Sequence, residues 1–213
     1  VIQYVLFFLA GYLPGSIPTA YLLVRRKASI DIRSAGSGNV GGYNTYQVTG
    51  SRSLGVVVGL IDGAKGLVAV IGASMIGGEF WLTAVALIGA IIGHNYPVWL
   101  KFKGGRGLAT AAGGTLPLGV AYAISWCLIW IATKSIGRGI LTANIFAILV
   151  SPALVFFAPD QIVEFFMTSN APLNDYRILS ILLSIILLAG HVNGLKEVVD
   201  DLRGIQTEIE KVD

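Results

Sequence analysis

The sequence predicts an all-α membrane protein: a seven-segment transmembrane helical bundle with one short broken helix, the N-terminus outside and the C-terminus cytosolic. Three observations lead there. Of 213 residues, 54% are hydrophobic and only 13% charged, and the mean hydropathy is +0.74, a balance that excludes a soluble globule. Apolar runs of the roughly 20 residues needed to cross a hydrocarbon core of about 30 Å recur along the chain. The basic residues gather at alternate ends of those runs, as the positive-inside rule requires.

The first span is Ile2 to Val24, too long for a cleaved signal and without its basic start. The second is Leu54 to Ile76 and the third Phe80 to Leu100. Leu108 to Thr133 reads in two ways: one crossing, or a short piece to Leu116, broken at Gly113-Gly114 and Pro117, and then a separate crossing. Charge arbitrates. With two pieces, Arg25, Arg26, Lys27, Arg33, Arg52, Lys101, Lys103, Arg106, Lys134, Arg138, Lys196, Arg203 and Lys211 lie inside and only Arg177 outside. A single crossing strands Lys134, Arg138 and the C-terminal tail on the wrong side. The short piece spans only about 14 Å at 1.5 Å per residue, so it is expected to be buried in protein. Ile140 to Phe157 and Ile178 to Leu195 complete the set. Between them a short interfacial helix is expected around Gln161 to Met167, and Lys196 to Asp213 reads as a mixed-charge helical tail facing solvent. No soluble domain is evident, so residues 1–213 are expected to form a single transmembrane domain.

The formal charge of +3 is too diluted by apolar sequence to indicate nucleic acid; membrane lipids are the expected surroundings. The one cysteine, Cys127, excludes an intrachain disulfide or a cysteine cluster.

Two glycine-rich basic loops sit at the mouths of these spans. In Gly36-Ser37-Gly38-Asn39-Val40-Gly41, glycines let backbone N–H groups turn toward an anion, and Ser34, Ser37, Asn39, Asn44 and Thr45 offer hydroxyls and amides to phosphate or glycerol oxygens. The segment formally fits the G-x-G-x-x-G dinucleotide fingerprint, but its flanks are a charged linker and a membrane helix rather than a strand and a βαβ helix. A plain flexible turn is the competing reading. The second loop, Lys103-Gly104-Gly105-Arg106-Gly107, follows His94 and opens a helix at Leu108, which brings N–H donors, a positive dipole end and charge together. Its competing reading is a positive-inside anchor with glycine hinges, and His94 alone reads equally as a helix packer. The Walker spacing is missing, so nucleotide hydrolysis is unsupported.

Asp62 and Lys65, three residues apart near the middle of the second span, share a helix face. At that depth they are expected to be paired, either for mutual neutralisation or with Lys65 orienting site residues or meeting a substrate phosphate. His191, with Asn193 beside it, is a similar case in the last span.

Taken together, several motifs in order and spacing resemble the PlsY family of bacterial acyl-phosphate:glycerol-3-phosphate acyltransferases. They are Gly15-Ser16-Ile17-Pro18; Asp31-Ile32-Arg33 leading into the first loop and Asn44; Asp62 with Lys65-Gly66; and His94-x-x-Pro97 with Phe102-Lys103-Gly104-Gly105-Arg106-Gly107-x-Ala109-Thr110. The resemblance covers most of the chain. It implies a seven-helix inner-membrane, multi-pass enzyme of phospholipid biosynthesis that moves a fatty acyl group from acyl phosphate to the 1-hydroxyl of glycerol 3-phosphate, giving lysophosphatidic acid, with no cofactor and no metal. It also implies roles: His94, Ser37 and Lys103 at the reacting centre, and Gly36, Gly38, Asn39, Asn44, Lys65, Gly104, Gly105, Arg106, Thr110 and His191 in substrate binding. The His-x4-Asp signature of other glycerolipid acyltransferases is absent, since the fifth residue after His94 is Trp99 and after His191 is Lys196.

The chain departs from the family pattern at Tyr43 and Gln47, where Thr and Arg are usual, and at Gly190 and Gly194 near the last motif. Arg52 and Arg33 are the candidates to replace the missing guanidinium. Two further readings stay open on these grounds: a homologue with lost or altered activity, serving as a membrane subunit or lipid-binding partner alongside other membrane proteins, and an anion carrier built on Lys65 and the broken helix.

Overall fold

Helices, most of them apolar, dominate residues 1–204, the part that the structure, a computed structural model, describes, with longer loops at residues 29–41 and 96–107. Residues 205–213 of the expected helical tail, including Lys211, lie outside it. Among the described residues the only β pairing is an isolated bridge between Gly119 and Met167. The described chain divides into two compact units, residues 1–117 and residues 118 onward.

The first unit holds α1 (Ile2–Gly15), α2 (Thr19–Ala28), α3 (Gly42–Thr49), α4 (Arg52–Met75), α5 (Phe80–Asn95) and α6 (Leu108–Thr115). Glycine governs how these helices meet. A Cβ on Gly11 or Gly15 of α1 would run into the backbone of Ala86 or Ala90 of α5, and one on Gly89 or Gly93 would strike Phe8 or Tyr12 of α1. The same device joins α4 to α6, where Gly66 lies against the Thr110 carbonyl and Gly113 against Gly63. In lipid, where apolar burial between helices is not a driving force, such backbone approach supplies the packing. Two signals separate α3 from α4: Gly50, left-handed at φ +67°, ends α3, and the Ser51 hydroxyl accepts from Leu54 N–H at 3.3 Å to cap α4, a cap typically worth about 1 kcal/mol.

The expected first span is not one uninterrupted helix. It breaks at Ser16–Pro18 into α1 and α2, because Pro18 has no N–H to continue the ladder. Three side chains hold the break. Ser16 Oγ donates to Leu13 O at 2.8 Å, Trp99 Nε1 donates to Ser16 Oγ at 2.9 Å, and Lys65 Nζ donates to Ile17 O at 2.5 Å. The third expected span likewise ends as a helix at Asn95, turns at Pro97 and closes with a 3-10 turn at Val98–Leu100.

The second unit contains α7 (Ala121–Ser135), α8 (Ile140–Phe157), α9 (Asp160–Phe165), α10 (Leu173–Ala189) and α11 (Leu195–Leu202). Polar pairs brace it from inside: Tyr122 Oη with Ser184 Oγ at 2.8 Å, and Trp130 Nε1 donating to Asn144 at 2.8 Å. The short helix expected around Gln161 to Met167 appears as α9, ending at Phe165. The last expected span begins earlier than Ile178 and ends at Gly190, after which the chain bends by 55° into Val192–Leu202.

Among the described residues four stretches are long and apolar enough to cross a membrane, namely Ile2–Ala28, Arg52–Met75, Phe80–Leu100 and Ile140–Phe157, with a fifth if the bent pair counts as one. The ambiguous stretch forms two helices, α6 and α7, of eight and 15 residues, both shorter than the roughly 18–20 residues that span a bilayer unaided.

Candidate active site

The first loop is built on a buried asparagine. Asn44 of α3 has no exposed surface, and its amide serves four backbone groups: Nδ2 donates to the carbonyls of Ile32, Ala35 and Asn39 at 3.2, 3.1 and 2.9 Å, and Oδ1 accepts from Ser37 N–H at 2.9 Å. That one side chain shapes the loop. Gly36 and Gly38 take left-handed φ of +58° and +70°, and a Cβ on Gly36 would collide with Asn44 Oδ1. Beneath the loop Ile32 and Val40 are buried with Ala20, Val24, Val58 and Leu100, so an apolar base holds a polar rim. At the loop entrance Arg33 grips Asp31 through two side-chain bonds, Nε to Oδ1 at 3.0 Å and Nη2 to Oδ2 at 2.6 Å. Those bonds hold the Asp31 carboxyl down to about 2 and push the Arg33 guanidinium upward.

The second loop is laid against the first and against His94. Gly104 N–H donates to Asn95 O at 3.1 Å, Gly105 N–H to His94 O at 3.0 Å, and Val40 N–H of the first loop to Gly104 O at 3.4 Å. A Cβ at Gly105 would overlap His94 Nε2 and lie 2.7 Å from Val40 O, while one at Gly104 would lie 2.7 Å from Asn95 O. Neither glycine is among those with a positive φ; close approach, not backbone freedom, demands them. Gly107, left-handed at φ +77°, then caps α6.

His94 is the hinge of the arrangement. Its Nε2 edge faces Gly105, and its Nδ1 lies 3.7 Å from Asp62 Oδ1. Asp62 Oδ1 in turn accepts from Lys65 Nζ at 2.6 Å, with both side chains under a tenth exposed. A small cavity of about 10 Å³ is lined by Asp62, Lys65, His94, Val40, Pro97 and the break residues Ser16 to Thr19. Sequence reasoning assigns no site role to those break residues. Asn95, Thr19 and Thr110 add buried side-chain oxygen or nitrogen atoms that find no partner among the described residues; buried polar atoms of that kind are unusual away from places that receive a polar ligand.

The two loops therefore meet, with His94 at their junction. At the rim the side chains of Ser37, Asn39 and Lys103 make no hydrogen bond among the described residues, Lys103 being exposed and the other two half-buried. Arg106 is half-buried. Lys65 sits deeper, its ammonium spent on Ile17 O and Asp62. His191 belongs to the second unit, fully buried, and its Nδ1 donates to Leu187 O at 2.7 Å. A larger hollow of about 530 Å³, open to the outside, runs along α3 and α4 to Ala109 of α6; Gly42, Gly55 and Gly59 lie along it with Tyr43, Tyr46 and Arg52.

The sequence matches the glycerol-3-phosphate acyltransferase family over residues 5–201. The chain belongs to that family. It is 42% identical over 156 residues to glycerol-3-phosphate acyltransferase 2 of Moorella thermoacetica, covering 73% of this chain and 79% of that one. With the glycerol-3-phosphate acyltransferase of Rhodopseudomonas palustris it shares 40% identity over 154 residues, 72% and 77% of the two chains. The fold is similar to the crystal structure of PlsY, an integral membrane glycerol 3-phosphate acyltransferase, in its glycerol 3-phosphate form: TM-score 0.76, 25% identity, covering 96% of this chain and 94% of that one. The lysophosphatidic acid form aligns with a TM-score of 0.75.

Within the glycerol-3-phosphate acyltransferase family, this member's Gln47 has its Oε1 buried without a partner among the described residues. Of the two arginines expected as candidates to replace a guanidinium at Gln47, Arg33 is committed to Asp31, whereas Arg52 lies 5.8 Å over the Tyr46 ring and lines the hollow.

Proposed function

We propose that this chain transfers a fatty acyl group from acyl phosphate to the 1-hydroxyl of glycerol 3-phosphate, releasing lysophosphatidic acid and inorganic phosphate. The single observation that carries the reading is the meeting of two phosphate-suited glycine loops at His94. The family match and the relatives' shared name support the acceptor and the reaction. Both units act in this reading as one transmembrane domain of seven segments in a bacterial inner membrane, N-terminus outside, with the loops on the cytosolic face. The charge bias of the loops supports that orientation.

The chemistry asks little of the protein. An acyl phosphate is a mixed anhydride with a good leaving group, so positioning and neutralisation supply most of the acceleration. Ser37, Asn39, Lys103, Arg106 and the Gly36 N–H bind phosphoryl oxygens, with the α6 N-terminus adding its dipole; the N–H groups of Gly38, Gly104 and Gly105 are spent on the carbonyls of Ala35, Asn95 and His94 and hold the loop paths instead. Asn44 acts through the first loop that it shapes, and Thr110 from the first turn of α6. The acceptor hydroxyl, hydrogen-bonded to His94, attacks the acyl carbonyl carbon. The bond from that carbon to the bridging oxygen breaks, and the hydroxyl proton leaves with the phosphate, directly or by way of His94. The donor's acyl chain lies along the hollow beside α4, whose volume is within the range of ligand sites. His191 serves the second unit as a buried helix-end brace.

The test is direct. Purified protein supplied with palmitoyl phosphate and glycerol 3-phosphate yields lysophosphatidic acid and phosphate in equal amounts. No product at any acceptor concentration would leave the subunit reading in its place.

A further inference from the structure

The buried Asp62–Lys65 pair is the largest charged feature that the transfer chemistry leaves unused. Its placement is specific. Lys65 Nζ bridges Ile17 O at 2.5 Å and Asp62 Oδ1 at 2.6 Å, and the same Oδ1 lies 3.7 Å from His94 Nδ1. All three side chains are under a tenth exposed, and they line one small cavity together with Thr19, whose buried hydroxyl has no partner among the described residues. A pair formed only for neutralisation needs neither the contact with the α1–α2 break nor the approach to His94.

We propose that Asp62 is a positioning residue for His94, held in place by Lys65 against the break between α1 and α2. The carboxylate can only accept, so it selects the form of His94 with the proton on Nδ1 and leaves the Nε2 lone pair facing Gly105. That is the edge a hydroxyl held in the phosphate loops would meet. At 3.7 Å the Asp62–His94 contact is an approach and not a hydrogen bond; contacts of this sort tighten when substrate fills a site. Lys65 balances the carboxylate's charge at depth and ties its position to Ile17 O, so the bend in the first span becomes part of the site's alignment. The idea rests on His94 meeting the acceptor hydroxyl as proposed above.

The experiment compares wild type, Asp62→Asn/Lys65→Met, and His94→Gln with and without the double change, in lipid nanodiscs. The double change removes both charges together, which avoids leaving one buried and unpaired. Because the chain has only 2 histidines, ¹⁵N spectra of wild type and His94→Gln assign the His94 signals without ambiguity. Expected are an Nδ1–H form of His94 in wild type, a mixed population in the double variant, and kcat lower by about 10- to 100-fold with KM for glycerol 3-phosphate changed by less than about twofold. On the His94→Gln background the double change should cost nothing further. Should the double variant not fold, Asp62→Glu keeps the ion pair, displaces the carboxylate and carries the same expectations. An unaltered His94 form, or an equal loss of kcat on both backgrounds, overturns the proposal. Failure of wild type to transfer acyl groups would count against the site reading, and the ¹⁵N comparison would still decide the positioning role by itself.

Discussion

Lys103 illustrates what a single residue contributes here. It is exposed, without a hydrogen-bond partner among the described residues, and one position before the glycine pair that touches His94. Losing a charge-assisted bond of about 1.5–3 kcal/mol predicts that Lys103→Ala raises KM for glycerol 3-phosphate or lowers kcat/KM by roughly 10- to 100-fold while the protein still unfolds at its usual temperature; steady-state kinetics and a thermal melt check both halves. Asp31 predicts a pH effect. Its folded value of about 2 lies below the ordinary 3.8, so its contribution to stability is fully present above about pH 4 and is lost as pH falls through about 2. The melting difference between wild type and Asp31→Asn should therefore be constant from neutral pH down to the upper of those values and vanish in stronger acid. At this scale the sequence was informative about residue type and less so about task. Asn44 is legible as a polar group near a phosphate loop, but its four backbone partners come from positions up to 12 residues away, which no spacing rule exposes. Asp62 and Lys65 are legible as a pair, whereas the contact with Ile17 needs the break in the first span.

Elements meet through glycine, and the cost of filling those contacts is the prediction at this scale. A methyl at Gly66 or Gly113 must displace backbone of the facing helix, which typically costs about 1–3 kcal/mol. A methyl added at Gly72 would meet nothing within 4 Å, so Gly72→Ala should change stability by less than about 0.5 kcal/mol. Thermal inactivation in detergent orders the three variants, and equal behaviour would mean that α4 and α6 do not pack as described. Element ends follow the same logic. α8 runs from Ile140 to Phe157, as the apolar run dictates, because Gly139 and Pro159 bracket it in the sequence. The first span misleads, since hydropathy averages over Ser16–Pro18 and reports one continuous run. Pro18 marks the break only once side chains are seen to satisfy the carbonyls it frees.

Orientation and chemistry belong to the whole molecule. With Cys127 replaced by Ser, an Arg177→Cys variant should react with a membrane-impermeant maleimide added to intact cells, and a Lys134→Cys variant only after permeabilisation; the reverse pattern would invert the proposed topology. Composition and charge were enough to predict an all-helical membrane chain. The number of crossings was harder to read, since α6 and α7 are each too short to register by hydropathy alone. The convergence of the loops was legible only as a shared chemistry, because Val40 and Gly104 are joined by folding and not by sequence. On that convergence the proposed chemistry turns. It is measured most directly by ³¹P–¹⁵N dipolar couplings in ¹⁵N-glycine-labelled protein with glycerol 3-phosphate and a non-transferable acyl phosphate analogue bound. Phosphorus is expected within about 4 Å, hydrogen-bond range, of glycine nitrogens in both loops, at Gly36 in the first and at Gly107, where the second opens α6. Couplings confined to one loop, or absent from both, would contradict it.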